Sequence, residues 1–378
     1  MLTIGVEEEY VLIDPATGVP VARAADVQAA AGRQRALTAG EVQRELSQAQ
    51  IEVATPVCHT LDEVGGHLLR LRHCLAQAAR GCGCRLAATG SVPFTDRLGV
   101  PVTPSPRYLR LRRAAPALVD EQLINGMHVH VGVPDRPTGV RVMNGLRPWL
   151  PVLTALAANS PLWHGRDTGF ASWRTVVNNR WPASGPPPEF AGAADYDRRI
   201  HALVDRGLIA DTGQLYWQVR LSERYPTVEV RAMDVQLTVD EAVLLAGLVR
   251  GLCARAVTAA QRPFPEPEDS GSGAAEPSGP PEHLQPEHLQ AAVWHAARHG
   301  TTGVLHAPLT GRPAPARQVA AALLARVDEA LAATGDRDRA AFLLERLHRD
   351  GNGAVRQRRA LRRGGRAALI ALIVDETA

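Results

Sequence analysis

Three segments of the chain alternate apolar side chains with ionisable ones, and this pattern constrains the fold more than any other feature of the sequence. Side chains two residues apart on a strand share a face, so each segment predicts a strand with one apolar face and one charged face. The charged positions are Glu7 and Glu9 in residues 3–13, His128 and His130 in residues 126–133, and Glu229 and Arg231 in residues 227–231.

Helices are expected behind the apolar faces of these strands. Residues 60–80 carry an apolar stripe at helical spacing, and Thr60 and Glu63 have the spacing of a capping box. Thr238 and Glu241 repeat that spacing before a second apolar run. The sequence therefore predicts a layered α+β fold, with a mainly antiparallel sheet and helices packed on one face.

The composition limits both the domain organisation and the chemistry. The chain has 378 residues, and we expect a single catalytic domain over residues 1–378. Residues 262–290 are rich in Pro, Glu, Ser and Gly and contain a tandem Pro-Glu-His-Leu-Gln repeat, which predicts a mobile loop within that domain.

All 42 basic residues are Arg, so a Walker lysine, a kinase lysine and a Schiff-base lysine are excluded. A net charge of +3 argues against a nucleic-acid or membrane partner. The five cysteines are expected to be free thiols. The sequence shows no signal-peptide pattern, and no uninterrupted apolar run approaches the about 18 residues of a membrane span, so we expect a cytoplasmic protein.

Carboxylates held side by side on a strand repel each other unless a cation lies between them or one stays protonated. Glu45 and Glu52 add two more carboxylates just before another strand-like segment. Carboxylate oxygens with one imidazole suit Mg²⁺ or Mn²⁺ better than Zn²⁺. Such ions beside arginines could hold a nucleoside triphosphate. The residues thus predict metal-dependent nucleotide or phosphate chemistry on an open sheet.

Several longer motifs make the chain resemble the bacterial carboxylate-amine ligase family, also called glutamate–cysteine ligase type 2. These motifs occur in the expected order over nearly the whole chain. They are Gly-Val-Glu-Glu-Glu-Tyr at 5–10, Glu-Val-Ala-Thr-Pro-Val-Cys at 52–58, Met-His-Val-His-Val-Gly-Val at 127–133, Ala-Asn-Ser-Pro at 158–161, Gly-Arg-Asp-Thr-Gly-Phe-Ala-Ser at 165–172, Glu-Val-Arg at 229–231 and Gly-Asn-Gly-Ala at 351–354.

The resemblance implies a glutamine synthetase-like fold, in which a curved antiparallel sheet holds ATP and Mg²⁺ or Mn²⁺. It also implies roles for individual residues. Arg231 would meet the phosphates and, with Glu52, carry the catalysis, while Arg174 is a weaker candidate for the nucleotide or a substrate carboxylate. The implied metal ligands are Glu7, Glu9, Glu45, Glu52, His128 and Glu229.

The implied reaction activates a carboxylate, in the first place the γ-carboxylate of glutamate, as an acyl phosphate that an amine then converts to an amide. The implied partners are small-molecule substrates, and the chain is expected to form a homo-oligomer. Two alternatives stay open: a phosphotransferase of guanidino-kinase type on the same fold, and a non-catalytic binding protein. Val92 and the pair Ala232-Met233 depart from the family pattern, and we expect both departures near the acceptor side of the site.

Overall fold

The computed structural model describes residues 1–38, 40–96, 99–261 and 284–378. Its strands are short apart from the three that the alternating pattern predicts and the strand that carries Glu52. In chain order they are β1 (Ile4–Ile13), β2 (Val42–Arg44), β3 (Gln50–Ala54), β4 (Arg85–Ala87), β5 (Gly126–Gly132), β6 (Leu162–Trp163), β7 (Arg166–Asp167), β8 (Ser184–Gly185), β9 (Tyr216–Trp217), β10 (Val219–Leu221), β11 (Thr227–Asp234), β12 (Val304–His306) and β13 (Pro313–Pro315).

The helices lie mainly between and after the strands of the large sheet. In chain order they are α1 (Ala24–Ala31), α2 (Leu61–Gly81), α3 (Pro106–Ala114), α4 (Pro116–Asp120), α5 (Arg136–Leu146), α6 (Leu150–Leu156), α7 (Trp173–Asn178), α8 (Ala193–Asp205), α9 (Val239–Gln261), α10 (Pro286–His299), α11 (Ala316–Ala333), α12 (Arg337–Asp350) and α13 (Gly353–Thr377).

Seven strands form the large sheet, in the order β10-β11-β5-β1-β3-β2, and β4 pairs with the end of β1 beyond β5. Every pairing in this sheet is antiparallel, so the predicted sheet type is confirmed. The register sets Glu7 opposite His128, Glu9 opposite Glu52, and Glu229 opposite His130. The three charged strand faces therefore lie side by side on one face of the sheet.

The other face of the sheet is apolar and packs on helices. Val6, Val129 and Val230, from the three central strands, are fully or almost fully buried in the main core together with side chains of α2, α5, α6 and α9. The predicted arrangement of helices on one face is thus confirmed. At the far end of β1, helix α13 covers the opposite face as well, because Leu369 of α13 belongs to the same buried cluster as Val11 of β1 and Ala87 of β4. The charged face is open only over the first two thirds of β1.

Glu8 lies between the two cleft-facing glutamates and points the other way, into the apolar layer. Both its oxygens accept hydrogen bonds from Arg72 of α2, at 2.9 and 2.5 Å, and the Tyr10 hydroxyl donates to it at 2.5 Å. Arg72 also donates to the carbonyls of Gln236 and Leu237 at 2.9 and 3.2 Å. Arg72 and Glu8 are almost completely buried, so this ion pair ties β1, α2 and the β11–α9 turn together.

Both predicted capping boxes are present. The Thr60 hydroxyl accepts from the Glu63 amide at 3.1 Å, and Thr238 and Glu241 cap α9 in the same way. Within α9, Val239–Ala259 has the length and mean hydropathy (1.6) of a membrane span, but 67% of that stretch is buried within the protein. Its apolar residues therefore serve the core. The five cysteines are free thiols, as expected.

The structure bears on two further expectations, the mobile loop at 262–290 and the positions of the departures from the family pattern. Of the predicted mobile loop 262–290, residues 262–283 lie outside the described residues, whereas α10 begins at Pro286, inside the predicted loop. A proline at the first helical position is favourable, and the second copy of the repeat therefore starts a helix. Val92 and Ala232 are fully or almost fully buried in the apolar cores, and neither lines the cleft that the charged face forms. The expectation that the departures lie near the acceptor side stays a prediction.

Candidate active site

The charged face of the sheet forms the floor of a cleft of about 1450 Å³. All eight site residues predicted from the sequence line this cleft, although they come from β1, β3, β5, α7, β11 and the turn before β3. They are Glu7, Glu9, Glu45, Glu52, His128, Arg174, Glu229 and Arg231. Their individual roles stay predictions, but their convergence supports a common site.

One group of ligand atoms surrounds His128. Its Nδ1 lies 3.2 Å from Glu7 Oε2 and 3.9 Å from Glu229 Oε1, while its Nε2 lies 3.9 Å from Glu9 Oε1. Glu7, His128 and Glu229 each offer a ligand atom within 4.8 Å of the others. This spacing follows from the strand register, because β5 lies between β1 and β11.

Burial and neighbouring charges set the protonation of this group. Burial alone would raise the pKa of Glu7, but hydrogen bonds with His128 and His130 outweigh it and hold that pKa well below its usual range. Burial, with the Arg231 charge added, lowers the pKa of His128. At pH 7 Glu7 is therefore ionised and His128 is neutral, which are the forms that bind a cation.

A second group of carboxylates lies beside the first, at Glu9, Glu45 and Glu52. Glu9 accepts from the Gly126 amide at 2.5 Å, and Glu45 accepts from the Tyr108 hydroxyl at 2.9 Å. The side chain of Glu52 makes no hydrogen bond or ion pair within the described residues. Burial and then the charge of Glu9 raise the pKa of Glu45 to about 7, and burial with the charges of Glu45, Glu7 and Glu9 raises that of Glu52. Negative charge is thus crowded here.

Three arginines face the cleft on the β11 side. Arg220 donates to both oxygens of Glu229 at 2.8 and 3.2 Å, and Arg231 also donates to Glu229. These two cations outweigh burial and hold the pKa of Glu229 well below its usual range. Arg174 is 6% exposed, and its Nε has no hydrogen-bond partner. Its guanidinium leans over Gly126, where a Cβ atom would come within 2.4 Å of Nη2.

Family motifs that contribute none of the predicted site residues hold the backbone behind Arg174. The Asp234 carboxylate accepts hydrogen bonds from the Ser160 and Ser172 hydroxyls at 2.6 and 2.8 Å, and from the backbone N–H of Asn159 at 2.8 Å. A Cβ atom on Gly353 would come within 1.9 Å of Asn159 Oδ1, so only glycine fits there. The motifs at 158–161, 165–172 and 351–354 therefore position the start of α7, and with it Arg174.

Three residues that line the cleft were not among the site residues predicted from the sequence. Arg220 sits on β10, where no charged alternation marks it, and Tyr108 sits on a helix that was not predicted. His130 was recognised as a partner of His128 on one strand face but was given no role, and its Nε2 lies 3.4 Å from Glu7 Oε1. For Arg220 the available signal was its spacing before Glu229, which suits two antiparallel strands and a short turn.

The chemistry of these side chains fits divalent cations. Glu52 is a largely buried carboxylate without a partner, and His128 Nε2 is a buried nitrogen without a hydrogen bond. Carboxylates beside one or two imidazoles, with no thiolate nearby, suit Mg²⁺ or Mn²⁺. Glu229 fits less freely than the others because both its oxygens already accept from arginines.

Comparisons with known proteins identify the family of the chain. A sequence model of a family described as glutamate-cysteine ligase family 2 matches residues 3–372. A "Putative glutamate--cysteine ligase 2-1" of Saccharopolyspora erythraea is 43% identical over 362 residues, which cover 96% of this chain and 91% of that protein. A "Putative glutamate--cysteine ligase 2-2" of Mycobacterium sp. strain KMS is 42% identical over 382 residues, covering 100% and 97%.

A solved structure shares the fold across the whole chain. The crystal structure of a glutamate–cysteine ligase from Francisella tularensis in complex with AMP superposes with a TM-score of 0.73 at 13% identity, covering 100% of this chain and 88% of that one. At this identity the likeness concerns the fold alone.

Proposed function

The chain belongs to glutamate-cysteine ligase family 2, a family of ATP-dependent C–N bond-forming ligases, and we propose that it joins the γ-carboxylate of glutamate to an amine through an acyl phosphate. The observation that carries this proposal is the distribution of charge in the cleft. Carboxylates crowd one end without arginine partners, whereas three arginines gather at the other. Such a cleft suits a triphosphate with its cations.

Divalent cations would be held by Glu7, Glu9, Glu45, Glu52 and His128, with Glu229 sharing its oxygens between a cation and two arginines. When bound, Mg²⁺ or Mn²⁺ would neutralise phosphate charge and polarise the phosphoryl oxygens. The hydrogen bond between His128 Nδ1 and Glu7, at 3.2 Å, fixes the ring between the two carboxylate groups. Thr227 fixes the neighbouring His130 ring through a contact of 3.0 Å to Nδ1.

The reaction needs good leaving groups rather than a covalent enzyme intermediate. The substrate carboxylate attacks the γ-phosphorus of ATP and ADP leaves; the amine then attacks the acyl carbon and phosphate leaves. Arg231 is held in place by Glu229 and would stabilise charge on the transferred phosphoryl group. Cys58 is buried, and its thiol donates to the Pro56 carbonyl at 3.3 Å, so we assign it no part in the chemistry.

ADP release tests the proposed function directly. We expect release with Mg²⁺ or Mn²⁺ to require a carboxylate substrate and to rise when a suitable amine is added, because the amine consumes the acyl phosphate. A screen over amino-acid pairs, with amide product followed by mass spectrometry, would identify both substrates. ADP release without free phosphate, together with a stable phosphorylated acceptor, would favour the phosphotransferase instead.

Arg174→Met is expected to raise the KM for ATP about tenfold or more, since a buried guanidinium with an unused N–H loses a charge-assisted hydrogen bond to an anionic ligand. The change in kcat should be smaller. Arg180→Met is the matched control: Arg180 lies just past the end of α7, is exposed and pairs with Glu121. Equal KM values in the two variants, with both melting temperatures unchanged, would remove Arg174 from the site.

A further inference from the structure

Three histidines lie close together on the surface. They come from a late part of the chain, and none of them lines the cleft. His295 and His299 lie one turn apart on α10, and His306 ends the short strand β12. The rings of His295 and His299 are nearly parallel, with centroids 6.0 Å apart, and the centroid of His306 lies 5.7 Å from that of His295. All three side chains are exposed.

We propose that His295, His299 and His306 form a binding site for a borderline divalent transition-metal ion such as Zn²⁺, Ni²⁺ or Cu²⁺. Histidines at i and i+4 on a helix present their imidazoles on one face, which is a spacing that binds such ions. A third imidazole from another element completes the ligand number of an open zinc site, leaving a position for water. The proposal does not depend on the ligase activity.

The two ring spacings that involve His295 are close to what a shared ion requires. Two imidazoles on one tetrahedral zinc have centroids roughly 5 Å apart, given zinc–nitrogen bonds of about 2.0–2.1 Å. The observed separations are about 1 Å larger. Among the described residues, only Glu7, His128 and Glu229 already hold their ligand atoms within 4.8 Å of one another. The exposed histidines must therefore turn slightly, which exposed side chains do within nanoseconds.

Competing partners for these imidazoles are few. Within the part of the chain that the structure describes, the side chains of His295, His299 and His306 make no hydrogen bond or ion pair. Their rings contact one another and the ring of Trp294. The adjacent Arg298 is turned away, since it donates to the Gly169 carbonyl and lies over the Phe170 ring.

The donor set separates this site from the carboxylate cleft. Imidazole nitrogens favour zinc, nickel and copper, whereas carboxylate oxygens favour Mg²⁺ and Mn²⁺. An ion bound here would link α10 to the β12–β13 hairpin. We therefore expect it to stabilise the protein while leaving the Mg²⁺ requirement of the cleft unchanged.

Trp294 provides the readout, because its ring lies 5.3 Å from that of His295. The experiment titrates the full-length protein with Cu²⁺ or Ni²⁺ in excess Mg²⁺, and follows tryptophan fluorescence together with isothermal titration calorimetry using Zn²⁺. We expect one ion per chain and quenching that Trp294→Phe largely removes. His295→Gln or His299→Gln should weaken binding at least about tenfold.

His201→Gln is the matched control, since His201 is an exposed histidine on another helix, α8. It should bind as the unchanged protein does. Melting temperatures measured without metal establish that each variant is folded. Equal affinity in the His295, His299 and His201 variants would overturn the proposal. Loss of binding only in His128→Gln would also overturn it, because the ion would then occupy the carboxylate cleft.

Discussion

Glu52→Gln is expected to reduce amide formation at least about a hundredfold while making the metal-free protein more stable. The glutamine side chain lacks the negative charge that we propose for cation binding, and such cations supply several kcal/mol of transition-state stabilisation. Stability should rise because the Glu52 carboxylate makes no hydrogen bond or ion pair among the described residues and lies near the charges of Glu45, Glu7 and Glu9. Steady-state ADP release and thermal melting in EDTA measure the two effects.

The stability gain should depend on pH in a defined direction. Burial and the neighbouring carboxylates raise the pKa of Glu52 above its value in the unfolded chain, so the wild-type protein loses stability as the pH rises from that unfolded value through the folded one. Glutamine does not titrate. The gain should therefore be larger near pH 8 and shrink as the pH falls towards the ordinary carboxyl range.

A second glutamate offers the matched control for this prediction. Glu345 is exposed and pairs with Arg317 on the surface, where such pairs contribute little. Glu345→Gln should change neither turnover nor melting temperature. Near-normal turnover of Glu52→Gln at saturating Mg²⁺ would contradict its proposed role, and a lower melting temperature at pH 8 would contradict the crowding of charge.

The strand alternation predicted most of this site because sheet geometry converts a two-residue period into a face. Glu7, His128 and Glu229 each carried that period, and strand pairing then brought them within 4.8 Å. The same reasoning located Glu9. Glu52 was placed just before a strand-like segment, whereas it lies within β3. The capping boxes at Thr60 and Thr238 also predicted the starts of two core helices correctly. Local rules suffice where a feature depends on neighbours a few residues away.

Features that depend on register or on distant partners were not predictable in this way. The spacing of Arg220 before Glu229 suits a hairpin, but with no charged alternation on β10 the spacing alone does not show that these two side chains pair. The sequence shows that Val92 and Ala232 depart from the family pattern, but it does not show their burial in the core, which tertiary packing sets. The buried role of Glu8, the middle residue of an acidic triplet, was also not predictable, because its partner Arg72 is 64 residues away in the sequence.

Arg72→Met is expected to lower the free energy of unfolding by about 3–5 kcal/mol, since it leaves the Glu8 carboxylate buried without its cation. Met keeps much of the side-chain volume, so lost packing contributes less than lost charge. The carbonyls of Gln236 and Leu237 also lose their donors, which loosens the turn before α9. Urea unfolding, followed by far-UV circular dichroism, measures the change.

A double-mutant cycle separates the ion pair from the hydrogen bonds to the turn. Glu8→Gln alone leaves a buried guanidinium uncompensated and should also be costly, whereas Glu8→Gln combined with Arg72→Met removes both charges at once. The double variant should therefore be less destabilised than the sum of the single variants, by at least about 2 kcal/mol. Additive losses would show that Arg72 acts through the turn carbonyls rather than through Glu8. Because Glu8 and Arg72 face away from the cleft, the fraction of each variant that remains folded should retain the KM for ATP of the unchanged protein.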